Sequence, residues 1–584
     1  MTSVEPPPTK RSKVEDVLSV VSSEVLKAEN EIGSAYLSAK PFPHGRIENM
    51  FVEGFLEKVL DEIRDNSKVK FKESDLFRVY QSIDLANLAE DSPEAQKLPS
   101  VMQLRAAIYS SRYRAFVERI TGLPPNTLTE QVDCAANCHA PGCHLLCHDD
   151  VIGTRKVSYI LYLTERGWTS DEGGALELYE AETDDNKRRV PKPHPIKTIL
   201  PAFNSMAYFV VEPGASFHSV QEVFGERPRL SIQGWYHAKE TPQHMEEATL
   251  SRLKSTGKGE DTEGDFASFG EGKSSQESCL SKSDRQYLSK YINKTYLTEQ
   301  SIKEIRERFE EDSSVQLRHF LSKEWVEKMK AASGKEDNDI GKGKPALDYS
   351  YGCTSDWRTC GPAHKQRFLE YVGKVANSES SASSLSCGPI LGHLKRFVFE
   401  SLPYARFLEA ICSLGHPLGY RGRVRRFRPG LDYTVAHYGI LTTQAVLDAT
   451  LCFAAGNGEQ CRVDESTGQV VATEDDAQWE SGDCGGFECY IAADDDDDCD
   501  NEEEGAETGA ADEYNDEDDT ELLSVSASNN TLSLVYRDPG TMRFVKYVGC
   551  QAPSSRWDIS MEYEVNDDND DEQGEKEDTD HEDQ

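Results

Sequence analysis

No run in the 584-residue chain approaches the roughly 20 consecutive apolar residues that a membrane-spanning helix needs. Met1 to Asp16 is polar and proline-rich and lacks the apolar core of a secretory signal, so the sequence predicts a soluble intracellular protein with no membrane partner. Basic residues are scarce, 64 Lys and Arg against 104 Asp and Glu, for a formal charge of −40. That deficit argues against a grip on nucleic acid or on an anionic lipid surface, since both need basic patches. Fifteen cysteines, an odd number in a chain without a signal, read as reduced thiols or metal ligands rather than disulfides. Lys10-Arg11-Ser12-Lys13 reads as a solvated terminus or as part of a nuclear address.

The texture of the chain changes several times. Residues 1–30 read as a flexible arm and 31–242 as a first domain, with an amphipathic helix carrying Phe51, Phe55, Val59, Leu60 and Ile63 and further helices over Val101 to Ile120. From Val157 to Leu163, Ala175 to Tyr179, Met206 to Val211 and Leu230 to Tyr236, short β-branched and aromatic runs alternate with Gly, Pro, Asn and Asp, the pattern of a sandwich or barrel. Residues 243–283 read as a linker rich in Gly, Ser, Glu and Lys. Residues 284–565 read as a second domain, helical at first and strand-like after Val424, with an acidic insert near 493–520; residues 566–584 read as an acidic disordered tail.

An internal repeat ties the two domains together. Asn204 to Gly214 lies over Asn530 to Gly540 without a gap, Gly173-Gly174 over Gly485-Gly486, and Arg229 to Ile232 over Arg556 to Ile559. On that ungapped reading Phe544 takes the place of His218, the stretch near Ala436 to Tyr438 that of the first His-x-Asp, and Cys452 that of Tyr162.

His148-Asp149-Asp150 precedes the first strand run, and His218 follows Pro213-Gly214. Two imidazoles and one carboxylate fill one face of an octahedral ion and leave three positions open, which suits Fe(II) that must take a cosubstrate and dioxygen together. His148 and Asp150, two apart on an extended segment, point to one side, and Asp149 away. Arg229 and Ser231 sit on a later strand, where an arginine offers a planar fork to a dicarboxylate, with Tyr162 as a further hydrogen-bond donor. Cys134, Cys138, Cys143 and Cys147, with His139 and His144 between them, form either a zinc cluster or reduced thiols near the iron site; the absence of Cys-x2-Cys spacing favours thiols.

These residues, together with Leu146 to Asp150, Gly173-Gly174-x-Leu176 and Ser216-Phe217-His218-x-Val220, resemble the signature of the 2-oxoglutarate- and Fe(II)-dependent dioxygenases, in the prolyl-4-hydroxylase-like branch, and more narrowly the ribosomal prolyl 3-hydroxylases. The resemblance implies an α+β, mainly β fold of two double-stranded β-helix (jelly-roll) domains with supporting helices, the second a degenerate, non-catalytic copy. It implies that His148, Asp150 and His218 bind Fe(2+), that Tyr162 and Arg229, with Ser231, bind 2-oxoglutarate, and that O2 is consumed, with L-ascorbate sustaining the iron. It further implies a proline of a small-subunit ribosomal protein as substrate, links to translation termination factors and messenger ribonucleoprotein, and a cytoplasmic and nuclear location. Two other readings stand beside it: a scaffold for translation complexes, and an oxygenase acting on another residue or protein.

Overall fold

The computed structural model describes residues 17–255, 264–269, 280–340, 348–375, 386–456, 461–463, 470–472, 477–479, 484–493 and 521–565. The expected acidic insert, beyond residue 493, and the acidic tail lie outside the described residues. The chain divides into two compact units, the first running to Glu73 and through Phe77–Arg189 and Pro195–Thr249, the second taking Ser74–Leu76, Val190–His194 and the chain from Leu250 onward.

In the first unit an antiparallel sheet runs in the order His44–Glu48, Ser205–Val210, Arg155–Tyr162, Arg229–Ala238, Ala135–His139, Phe77–Ser82, His144–His148, His218–Val220, Leu176–Leu178, Lys197–Ile199. The alternation of strand side chains gives it two faces of different chemistry. Leu161, Tyr159, Ile232, Tyr236 and Met206 pack with Val59, Leu104, Phe116 and Ile120 from the helices Phe55–Asn66, Pro99–Tyr109 and Ser111–Thr121. Each such side chain buried from water stabilises the unit by about 1.5–3 kcal/mol. Ile160, Tyr162, Leu178, Ala207 and Phe209 face the other way, and the sheet curls as in a jelly roll. Two helix starts are capped by side chains: the Glu62 carboxylate accepts the amides of Ser100 and Val101 at 2.8 and 3.0 Å, and Ser110 accepts that of Tyr113 at 3.2 Å.

Two sequence expectations are corrected here. The N-terminal arm of residues 1–30 is not wholly flexible: Val17–Val20 forms a 3-10 turn and Ser23–Lys27 and Glu29–Ser38 form helices, because Leu18, Val20, Val21 and Val25 are buried in the core. Nor is 243–283 wholly a linker. Thr249–Ser255 is helical, with Thr249 and Leu253 buried, and Ala267–Ser268 pairs with Gly419 and Tyr420.

The second unit has a sheet in the order Ser314–Arg318, Thr531–Arg537, Val446–Phe453, Arg556–Glu564, Gly419–Phe427, Gln366–Tyr371, Trp357–Cys360, and a smaller one of Glu521–Val525, Glu488–Ala492 and Thr541–Val545. Leu451, Ile559, Met561 and Leu534 pack with helical residues such as Phe309, Leu391 and Phe407. On the opposite face four arginines and four carboxylates interlock: Arg425 with Asp558, Arg537 with Asp448 and Glu562, Arg543 with Asp448 and Glu488, and Arg556 with Asp558.

The pairing registers of the two units run in parallel. Cys452 stands opposite Asp558 as Tyr162 stands opposite Ser231. Asn204 and Asn530 both take the left-handed conformation, φ 60° and 45°, and their side-chain oxygens accept the amides of Phe51 and Leu321, each at 2.9 Å. One register departs from the ungapped reading. Gly485 bridges Val548 as Gly173 bridges Val223, so the residue opposite Tyr490 is Arg543, as His218 is opposite Leu178. Arg543, not Phe544, therefore holds the position of His218, because the second unit is one residue shorter before this strand.

Candidate metal centre

The strand His144–His148 pairs with His218–Val220, and the pairing sets His148 directly opposite His218 with ring centroids 4.2 Å apart. Asp150 joins them by a local twist rather than by strand alternation. The strand ends at His148, and Asp150 adopts φ 63°, the left-handed region that Asp tolerates better than most residues. Its carboxylate then lies 3.1 Å from His148 Nε2 through Oδ1 and 3.3 Å from His218 Nε2 through Oδ2. The three ligand atoms lie within 4.8 Å of one another, and among the described residues these form the single such group of His, Cys, Asp and Glu.

The tautomers are set by the backbone. His148 Nδ1 donates to the carbonyl of Leu146 at 2.8 Å and His218 Nδ1 to that of Ser216 at 2.9 Å, which turns both Nε2 atoms toward the cluster. Burial works against a charged Asp150, but the facing imidazoles of His218 and His148 outweigh it and hold the carboxyl well below the usual range. Asp149 points away, as alternation predicts, and its carboxylate accepts the amides of Val151, Gly214 and Thr249 at 3.3, 3.3 and 3.0 Å. It fixes the loop from which Asp150 projects. The structure thus brings together His148, Asp150 and His218; among the described residues the cysteines Cys134, Cys138, Cys143 and Cys147 contribute to no such cluster and form no disulfide.

Beside the cluster lies a polar cradle. Arg229 is fully buried, with Nε donating to the Gly174 carbonyl at 2.8 Å and the guanidinium carbon 5.2 Å from the Tyr162 ring centroid. Gly174 has φ 67°, and a Cβ there would stand 2.9 Å from Arg229 Cδ, so glycine lets this turn close onto the arginine. Ser231 Oγ accepts from Arg229 Nη1 at 3.5 Å, at the outer limit of a hydrogen bond. Arg229 Nη2, the Tyr162 hydroxyl and both amide atoms of Asn137 are buried without a hydrogen-bond partner. An unpaired buried polar atom costs about 1–3 kcal/mol, and four converging ones mark the seat of a polar guest. Two donors flanking an arginine fork fit the terminal carboxylate of a short dicarboxylic acid.

Two cradle residues escaped the sequence reading in this role. Asn137 and His139 pair with Ser231 and Arg229 along neighbouring strands, and burial, followed by the Arg229 charge, drives the His139 pKa well below its ordinary value. His139 is therefore neutral, and its Nδ1 sits 3.4 Å from Arg229 Nη1 as an acceptor.

Residues 134–237 match the model of the 2OG-Fe(II) oxygenase superfamily, and residues 283–572 that of the oxoglutarate and iron-dependent oxygenase degradation C-terminal domain. The prolyl 3,4-dihydroxylase OGFOD1 of Ostreococcus tauri is 37% identical over 545 residues, covering 91% of this chain and 96% of that protein. The prolyl 3-hydroxylase OGFOD1 of Mus musculus is 26% identical over 557 residues, covering 88% and 85%. A Pseudomonas putida prolyl-4-hydroxylase crystal structure aligns to 36% of this chain and 99% of its own, with a TM-score of 0.25 and 19% identity.

Proposed function

The chain belongs to the 2-oxoglutarate- and Fe(II)-dependent oxygenases and is a prolyl hydroxylase of that class, and from that premise we propose that its substrate is a proline of a small-subunit ribosomal protein at the decoding centre, oxidised first at carbon 3. The observation that carries the reading is the closed pair of imidazoles about Asp150 beside the cradle of Tyr162, Arg229 and Asn137. His148, Asp150 and His218 would hold the iron, and Arg229, Tyr162 and Asn137 the far carboxylate of 2-oxoglutarate. Bound there, the pair would supply the oxidising chemistry that couples hydroxylation of the proline to decarboxylation of the cosubstrate. The chain supplies fixed ligands, a fixed cosubstrate orientation and, through Phe209 against His218 with centroids 4.7 Å apart, an apolar wall that limits water.

The names of the relatives support carbon 3, and that of the algal one, a 3,4-dihydroxylase, makes the number of oxygens part of the test. In our reading ascorbate keeps the iron reduced, the product influences translation termination, and the protein works in cytoplasm and nucleus beside messenger ribonucleoprotein. The second unit is, in this reading, a degenerate copy: the matching registers support common descent, Arg543 replaces the ligand His218, and Asp558 gives Arg556 an internal carboxylate where a cosubstrate would otherwise sit.

The test is mass spectrometry of the decoding-centre protein after incubation with the enzyme, Fe(II), 2-oxoglutarate and air, beside a His148→Ala control. One or two added oxygens on a single proline, absent in the control, are expected. Succinate formed without any addition to that protein would discard the substrate and keep the oxygenase.

A further inference from the structure

Residues directly opposite each other on paired strands share a face, so the registers sort the inner face of the first unit into rows. Tyr162, paired with Ser231, marks the row of the cradle. Four residues earlier on the same strand, roughly 13 Å away, Ser158 pairs with Phe209, and Phe209 pairs in turn with His44. Phe209 lies against His218, so this second row is that of the metal cluster, and His44 is its outer end. On the facing strands the same row runs from His148 through His218 and Leu178 to Lys197.

His44 is 5% exposed and stands edge-on to Phe42, with ring centroids 5.9 Å apart; Phe42 in turn packs on Phe209 at 5.7 Å. Its Nδ1 donates to the Phe42 carbonyl at 2.8 Å, which fixes the tautomer, and among the described residues Nε2 makes no hydrogen bond. Burial, with the Lys197 charge added, lowers the His44 pKa below the ordinary 6.5 against the opposing bond to Phe42. The ring is therefore neutral near pH 7, and Nε2 is an acceptor.

A peptide substrate must bring its proline to the metal row, because the cradle row is taken by the carboxylate of the cosubstrate. His44 lies one strand, roughly 4.8 Å, beyond Phe209, which places it two or three residues of extended peptide, at about 3.4 Å each, from the cluster. Proline has no amide hydrogen, so the donor to an acceptor here belongs to a neighbouring residue. Lys197 repels a lysine or arginine side chain offered as that donor, which leaves a backbone amide.

We propose that His44 is a substrate-recognition residue: its Nε2 accepts the backbone N–H of a residue two or three positions from the target proline and anchors the peptide beside the metal cluster. The inference rests on the prolyl hydroxylase reading and is independent of which protein supplies the proline.

The probe is a library of proline-centred peptides that includes the decoding-centre sequence, and the member hydroxylated fastest by the unmodified enzyme is carried forward. Its dissociation constant from the full-length chain loaded with Fe(II) and 2-oxoglutarate is measured under nitrogen by fluorescence anisotropy, beside kcat at saturating peptide. His44→Phe keeps a ring and loses the acceptor; it is expected to weaken binding about tenfold, the equivalent of one hydrogen bond, and to change kcat less than about threefold. His44→Gln, which returns an acceptor, is expected to regain most of the affinity. An ester scan needs no protein variant: replacing backbone amides of the peptide one at a time by ester oxygens is expected to cost the unmodified protein about tenfold at one position within three residues of the proline. The same ester is expected to cost His44→Phe nothing further. Hydroxylation of another library member but not of the decoding-centre sequence removes the ribosomal substrate and puts His44 to the same two tests on that member. Equal affinity in His44→Phe, an equal ester penalty in both proteins, no ester-sensitive position within three residues, or a library with no hydroxylated member overturns the proposal.

Discussion

The carboxylate of Asp149 accepts the backbone amide of Thr249, 100 residues further on, at 3.0 Å. With the amides of Val151 and Gly214 on the same carboxylate, one side chain joins the metal-binding turn, the loop that leads to His218 and the start of a helix. Partners that orient a ligand typically govern metal affinity by 10–100-fold. Asp149→Ala is therefore expected to weaken Fe(II) binding about 10–100-fold with all three ligands intact, as read by metal titration. Affinity equal to that of the unmodified protein would show that the turn holds its shape without this carboxylate.

The unpaired amide of Asn137 gives a second expectation. If it receives the cosubstrate carboxylate, Asn137→Ala removes one hydrogen bond of about 1.4 kcal/mol, a tenfold rise in the dissociation constant for 2-oxoglutarate. Iron affinity stays unchanged, because Asn137 lies on the cradle side of the site. Arg229→Lys, which loses the fork, is expected to exceed this effect. Titration of the iron-loaded protein with 2-oxoglutarate ranks the three.

His144 titrates in a direction that makes the first unit acid-sensitive. Burial lowers its pKa from the ordinary 6.5 to about 4, so the folded form keeps it neutral where the unfolded chain protonates it. Between those values the unfolded state binds more protons, and stability falls as pH falls. Between pH 7 and pH 5 the cost is about 2 kcal/mol. The first unit of His144→Gln is expected to show that much less acid sensitivity in denaturant titrations followed by hydrogen exchange of His144–His148; identical slopes would remove His144 as the cause.

In the second unit, Glu488 is buried, which alone would raise its pKa, but Arg543, Arg556 and Arg425 overcome this and push it down to about 2. Its depressed pKa contributes stability that is complete above the usual 4.5 and is lost as pH falls toward 2. Removing one partner of a buried charged network costs about 3–5 kcal/mol, since the others remain uncompensated. Glu488→Ala is expected to lose that much, by denaturant midpoint, with the first unit unaffected. A loss below 1 kcal/mol would show that water replaces the carboxylate.

The cluster of His148, Asp150 and His218 and the buried Arg229 were legible in the sequence because few residue types supply that chemistry and all four fall within short, punctuated segments. Asn137 and His139 were not, because they lie among Cys134, Cys138 and Cys143, and only pairing with Ser231 and Arg229, some ninety residues later, gives them their place. The direction of Asp150 was legible but its cause was not: an extended segment was expected, and a left-handed residue delivers the same proximity. Leu18, Val20 and Val21 show the limit at a chain end, where an apolar run too short for periodicity is still long enough to be buried. The correspondence in register between Arg543 and His218 needed the strand pairing, since a one-residue shortening is invisible to an ungapped alignment.

Asn204 and Asn530 each hold a distant segment through a side-chain oxygen, across 153 residues to Phe51 and 209 residues to Leu321. Contacts that close such long loops form only after most of the chain entropy has been lost. Clips that form after the folding barrier act on unfolding alone, so Asn204→Ala and Asn530→Ala are expected to speed the unfolding of their units and leave the folding rates unchanged, as read by stopped-flow kinetics; slower folding of either variant would place its clip in the transition state.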